Sequence, residues 1–203
     1  MKTLLLIDIQ NDFLPGGTLA VPAGDEVASV ANRLMPAYDL VVATQDWHPA
    51  DHLSFASGHP GRTVGDVIEL DELQQTLWPE HCVQDTPGAA FATGLNLDAI
   101  HHVVQKGTDR RIDSYSGFFD NARRKATGLA DYLIERGAQE LDVMGLATDY
   151  CVKFTAIDAA ELGFQTTFLS RGSRGIELNP GDCDKAVAAM RAAGVDVKEE
   201  IEQ

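Results

Sequence analysis

The chain has 203 residues, is 44% hydrophobic and carries a formal charge of −15, which is enough length for one well-filled core and one domain spanning 1–203. Sixteen basic residues against thirty-one acidic ones argue against nucleic acid or an anionic membrane as partner, because phosphate contacts need clustered Lys and Arg. Three cysteines make no disulfide framework and suit a reducing cytoplasm.

In chain order, the apolar run Thr3–Ile9 reads as a buried strand closed by a charge at Asp8. Its core Leu4–Ile7 is too short for a signal peptide, and no segment reaches membrane-span length. A helical stripe follows over 25–36 (Val27, Val30, Ala31, Leu34, Met35), then a strand at Leu40–Thr44. Residues 47–100 break the rhythm: they are rich in proline and glycine, with one weak helical stretch around 70–77. Both tryptophans and four of the six histidines lie there, so the region reads as functional rather than as a plain connection. A strand at His102–Gln105 precedes a helical pattern over 121–136 with Gly137 as its stop. A strand at Leu141–Leu146 hands over to a helix at 152–163, followed by a strand at Thr166–Leu169. A last helix is capped by Asn179-Pro180 and turns Cys183, Val187 and Met190 inward, and Val195–Lys198 closes the chain as a strand.

Repeated β-α-β alternation with apolar, non-alternating strands predicts an α/β fold, a three-layer α-β-α sandwich around a mainly parallel six-stranded sheet. In such sheets ligands bind beyond the carboxyl ends of the strands. Asp8, Asp46 with His48, Lys106 and the 147–151 turn are the residues that this rule gathers at one edge. Asp8 is costly at the end of an apolar strand unless paired. Lys106 alone reads as an ordinary loop lysine. Asp46 and His48 stand two apart, pointing the same way from extended chain, and their donor types suit a divalent metal. His52, His59, His81 and Cys82 are candidates to complete such a set, and spacing does not choose among them. Cys151 sits at a helix N-terminus near Lys106, an environment that lowers a thiol pKa. Cys183 reads as core.

Seven blocks in order, LLIDIQNDF (5–13), QDWHP (45–49), HLSFAS (52–57), WPEHCVQ (78–84), VVQKGTD (103–109), DSYSGFFDN (113–121) and GLATDYCV (145–152), resemble the nicotinamidases of the isochorismatase-like cysteine hydrolase superfamily over essentially the whole chain. The resemblance implies a catalytic triad of Asp8, Lys106 and Cys151, and metal ligands Asp46, His48 and His81, with Ser54 touching the metal directly or through water. It implies Phe13, Trp78 and Tyr115 around the pyridine ring, an oxyanion hole from the amides of Ala147 and Cys151, and a cis Leu146–Ala147 peptide. Cys82 becomes a neighbour of the site, and His52, His59, His101 and His102 are not ligands.

The activity so implied is hydrolysis of nicotinamide to nicotinate and ammonia through a cysteine thioester, with pyrazinamide also accepted. It would use one divalent metal, zinc first and iron or manganese as alternatives, in a monomer or small homo-oligomer serving NAD salvage. The alternative within the superfamily is an amidohydrolase for another small amide. An isochorismatase would need neither Cys151 nor this ligand set, a carbamoyl amidohydrolase would lack the metal ligands, and a non-catalytic relative would have lost a triad residue. A redox thiol protein is disfavoured by the absence of a C-x-x-C pair.

Overall fold

The computed structural model describes residues 1–199. Its strands are β1 (Lys2–Ile7), β2 (Leu40–Asp46), β3 (Val67–Leu70), β4 (Leu73–Thr76), β5 (His102–Lys106), β6 (Glu140–Leu146), β7 (Gln165–Arg174) and β8 (Asp196–Lys198). The α-helices are α1 (Glu26–Leu34), α2 (Leu129–Glu135), α3 (Lys153–Glu161) and α4 (Asp182–Ala192). Six strands form one sheet in the order β5-β2-β1-β6-β7-β8, and every neighbouring pair is parallel.

The period-two geometry of the strands divides their apolar side chains between two cores. Leu4, Leu6, Val41, Ala43 and Met144 pack with Val27 and Ala31 of α1 on one face. Leu5, Ile7, Val42 and Val143 pack on the other with Leu133 of α2, Ala156 of α3 and Met190 of α4. The continuous apolar strands are thus covered on both sides, which is what an all-parallel sheet requires. From β1 the chain winds outward to β2 and β5, then returns to place β6 on the other side of β1. That reversal leaves a crevice at the carboxyl ends of β1 and β6.

Three expected elements differ. Residues 70–77 are not helical: β3 and β4 form an antiparallel hairpin, with Val67 opposite Thr76 and Leu70 opposite Leu73. Its two-residue turn, Asp71-Glu72, has both residues at positive φ (50° and 69°), a conformation usually signalled by Asn-Gly rather than by two acids. The helix expected over 121–136 is confined to α2. Before it the chain turns repeatedly, with Arg123 at φ 53° and a bridge from Phe119 to Ala126. The last helix starts at Asp182 rather than at Pro180, and the Asp182 carboxylate accepts the Asn179 amide at 2.9 Å. Among the described residues no helix is long and apolar enough to cross a membrane.

Candidate active site

The crevice gathers Asp8, Lys106 and Cys151. Asp8 follows β1 directly and holds φ 47°. Its Oδ1 accepts the Thr44 hydroxyl at 2.6 Å, a contact available because Thr44 and Asp46 share one side of β2. Lys106 ends β5 with its side chain fully buried. Its Nζ lies 2.9 Å from Asp8 Oδ2, 3.0 Å from Asp46 Oδ1 and 2.8 Å from the Ser114 carbonyl. It also lies 3.5 Å from Cys151 Sγ. A buried ammonium is costly unless paired; here burial works to neutralise it, but Asp46 and Asp8 together hold it charged, well above the usual lysine range. For Lys106 the plain loop reading is therefore overturned.

Cys151 stands in a π-helical turn, Thr148–Val152, that runs into α3. The Leu146–Ala147 peptide just before it is cis. The expectation of a lowered thiol pKa does not hold for the resting site. Burial pushes the Cys151 thiol well above its ordinary value; Lys106 pulls the other way, while Asp8 and Asp46 add to the rise. Asp8 itself is raised, by burial first, with Lys106 opposing. Burial and the two carboxylates thus favour the protonated thiol, with Lys106 Nζ 3.5 Å from its sulfur.

Beside this trio, Asp46, His48 and His81 bring ligand atoms within 4.8 Å of one another, all three residues buried. His48 Nε2 is 3.1 Å and His81 Nε2 3.5 Å from the same oxygen, Asp46 Oδ2. The outer nitrogens are engaged elsewhere: His48 Nδ1 with the Gly107 carbonyl at 2.9 Å and His81 Nδ1 with the Pro79 carbonyl at 2.8 Å. Carbonyl partners keep a proton on each Nδ1 and turn both Nε2 atoms inward, the arrangement expected around a bound cation. This donor set fits a divalent metal. Gly107, at φ 64°, is needed for it, since a Cβ there would come within 2.5 Å of His48 Cε1. Burial works to lower the His48 pKa, but Asp46 outweighs it and lifts the value to about 9. Burial works to raise Asp46, and His48 and Lys106 hold it well below the usual carboxylate range.

Ser54 is fully buried, and its Oγ meets His52 Nδ1 at 2.7 Å. His52 joins His48 and Asp113 in a second trio whose ligand atoms also lie within 4.8 Å. His59 bonds the Leu53 carbonyl, His101 accepts the Val41 amide, and His102 stacks on Tyr132. Cys82 is buried, and its amide donates to Asp12 Oδ2 at 2.7 Å, which fixes the chain beside His81. All three cysteines are free, and Cys183 is half-buried.

Phe13, Trp78 and Tyr115 line a cleft that also reaches Asp46, His81, Ala147 and Cys151. Leu19, Asp113, Tyr150 and Ile176 complete the walls. Of these, Tyr150 and Asp113 lie inside conspicuous sequence blocks, whereas nothing local marks Leu19 or Ile176.

The isochorismatase domain model matches residues 2–200. The chain belongs to the isochorismatase family. It is 50% identical over 197 residues to the nicotinamidase of Escherichia coli (strain K12), covering 95% of this chain and 92% of that protein. It superposes with a TM-score of 0.94 on an Acinetobacter baumanii nicotinamidase/pyrazinamidase, at 43% identity and covering 97% and 94% of the two chains. A pyrazinamidase of Pyrococcus horikoshii, solved in complex with zinc, aligns with a TM-score of 0.79 at 34% identity, covering 98% and 99%.

Proposed function

We propose that this family member hydrolyses nicotinamide to nicotinate and ammonia through a Cys151 thioester, and that it also accepts pyrazinamide. The observation that carries the reading is the meeting of the two trios on one lysine: Lys106 touches Asp8, Cys151 and Asp46 at once. The nicotinamidases and pyrazinamidases among its relatives support the substrate class.

Phe13, Trp78 and Tyr115 hold the flat ring. Asp46, His48 and His81, with Ser54 nearby, hold a divalent ion, for which zinc comes first and iron or manganese are alternatives. Such an ion supplies a Lewis-acid docking point for a pyridine nitrogen. Asp8 takes the Cys151 proton as sulfur adds to the carboxamide carbon, so the thiolate exists only while substrate is in place to consume it. The amides of Ala147 and Cys151 receive the developing oxyanion, a contribution of about 3 kcal/mol per donor in comparable sites. Asp8 returns its proton to the amide nitrogen as the C–N bond breaks, releasing ammonia and leaving the thioester. Asp8 then takes a proton from water, which attacks the thioester carbon, and returns that proton to sulfur as nicotinate departs. Lys106 stays charged and keeps Asp8 and the thiolate from repelling one another. Free, largely buried thiols suit a cytoplasmic location.

The test is ammonia release from nicotinamide and pyrazinamide, with isochorismate and a carbamoyl amide alongside. Release from the carbamoyl amide alone would move the assignment to another small-amide hydrolase.

A further inference from the structure

The β3–β4 hairpin lies outside the six-stranded sheet, and a two-stranded ribbon is at best marginally stable by itself. Its position therefore depends on what it touches. Gln75 of β4 is only 4% exposed, while Gln74 beside it faces solvent. A buried amide is costly unless bonded, and Gln75 is bonded into the site. Its Nε2 donates one N–H to the Thr76 carbonyl at 2.7 Å and shares the other between Asp113 Oδ2 at 3.3 Å and the Tyr115 hydroxyl oxygen at 3.4 Å. The same hydroxyl oxygen accepts the Trp78 indole N–H at 3.1 Å. Trp78 and Tyr115 both pack edge-on against Tyr150, at ring separations of 4.8 and 5.4 Å. Asp113, at its other oxygen, accepts the Ser114 amide at 2.7 Å and lies 3.9 Å from His48 Nε2.

Gln75 thus ties the ribbon, which the Asp71–Arg111 pair also anchors at its turn, to Tyr115 on the cleft wall, through that hydroxyl to Trp78, and to a carboxylate beside the metal ligands. We infer that Gln75 is a positioning residue for ring binding: it holds Tyr115, Trp78 and Asp113 in the arrangement that receives the flat heteroaromatic ring, without entering the chemistry at Cys151. This deepens the nicotinamide reading above and rests on it. An apolar side chain of the same size would fill the space and leave the Tyr115 hydroxyl oxygen and Asp113 one donor short. A carboxylate there would also face Asp113 with like charge.

The experiment compares wild type, Gln75→Met, Gln75→Glu and the neighbouring control Gln74→Met. It measures KM and kcat for nicotinamide, nicotinate affinity by calorimetry, the alkylation rate of Cys151 by iodoacetamide, and Tm. In Gln75→Met, KM and the nicotinate Kd rise about tenfold, and more in Gln75→Glu, while kcat, Cys151 alkylation and the Gln74→Met control keep their wild-type values. Unchanged KM and Kd in both Gln75 variants overturn the inference. So does a joint loss of kcat, alkylation behaviour and the thermal transition, which would make Gln75 a purely structural residue. A wild type that neither binds nicotinate nor releases ammonia overturns the functional reading itself, and is recognised without reference to the variants.

Discussion

Lys106 and Asp46 join the two halves of the site: the ammonium lies 3.0 Å from Asp46 Oδ1, and the other oxygen of that carboxylate faces His48 and His81. The cation that separates Asp8 from Cys151 is therefore also the one that offsets the charge of a carboxylate in the candidate metal site. Two buried carboxylates share one buried ammonium, and removing it leaves Asp8 without its cation and Asp46 dependent on His48.

Lys106→Met tests that sharing. Breaking a buried charge network from one side costs about 3–5 kcal/mol, so the variant is expected to unfold at markedly lower denaturant concentration and to release no measurable ammonia. An unchanged unfolding midpoint would show that Asp8 and Asp46 do not depend on Lys106 for their burial.

The raised Cys151 thiol predicts a pH profile. Alkylation needs the thiolate, and the folded thiol holds its proton well above the ordinary value. The rate of Cys151 modification, followed by peptide mass spectrometry, should therefore climb about tenfold per pH unit through pH 9 without a plateau. The linkage runs in the same sense. Because the folded pKa is raised, the stability contributed by this group is fully present below about pH 8.5 and is lost as pH rises through the folded value. A plateau near neutral pH would mean that Lys106 outweighs burial.

Metal binding has a readout independent of turnover. A divalent ion that binds Asp46, His48 and His81 only in the folded chain adds about 2.7 kcal/mol at a hundredfold excess over its Kd. Zinc added to chelator-treated protein should raise Tm, and His48→Ala should abolish the rise. A shift of equal size in His48→Ala would place the ion elsewhere.

Much of this arrangement is legible in the sequence because its determinants are local. Unbroken apolar runs mark strands buried on both faces, and Asp8, Lys106 and Cys151 are conspicuous for following them. The hairpin is not legible in the same way: LQQT and VIEL carry no helix-excluding residue, and the acidic turn between them lacks the usual glycine. Gln75, Asp113, Thr44 and Ser114 owe their places to partners 8 to 40 residues away, which no short window contains. Arg123 keeps the expected helix from starting at 121 because its positive φ interrupts the helical path; its side chain reaches Asp158 and Glu161 of α3. The direction of the Cys151 shift depends on how completely the thiol is buried, a quantity that helix position and a nearby lysine do not supply.

Asp149 connects the Cys151 turn to the far wall of the cleft. Its carboxylate is 3% exposed and accepts two backbone amides, Ile176 at 3.0 Å and Glu177 at 2.8 Å. Ile176 lines the cleft together with Trp78 and Tyr115, so Asp149 holds one wall while Gln75 holds another. Asp149→Ala leaves two amides without an acceptor, which costs about 1–3 kcal/mol per unsatisfied group, and frees the 175–178 segment. The expected result is a lower Tm together with a raised KM for nicotinamide. Asp149→Asn keeps one oxygen acceptor but turns the other position into a donor that faces an amide N–H, so it should recover only part of the loss. Equal stability of all three proteins would show that water replaces the carboxylate and that the Ile176 wall stands without it.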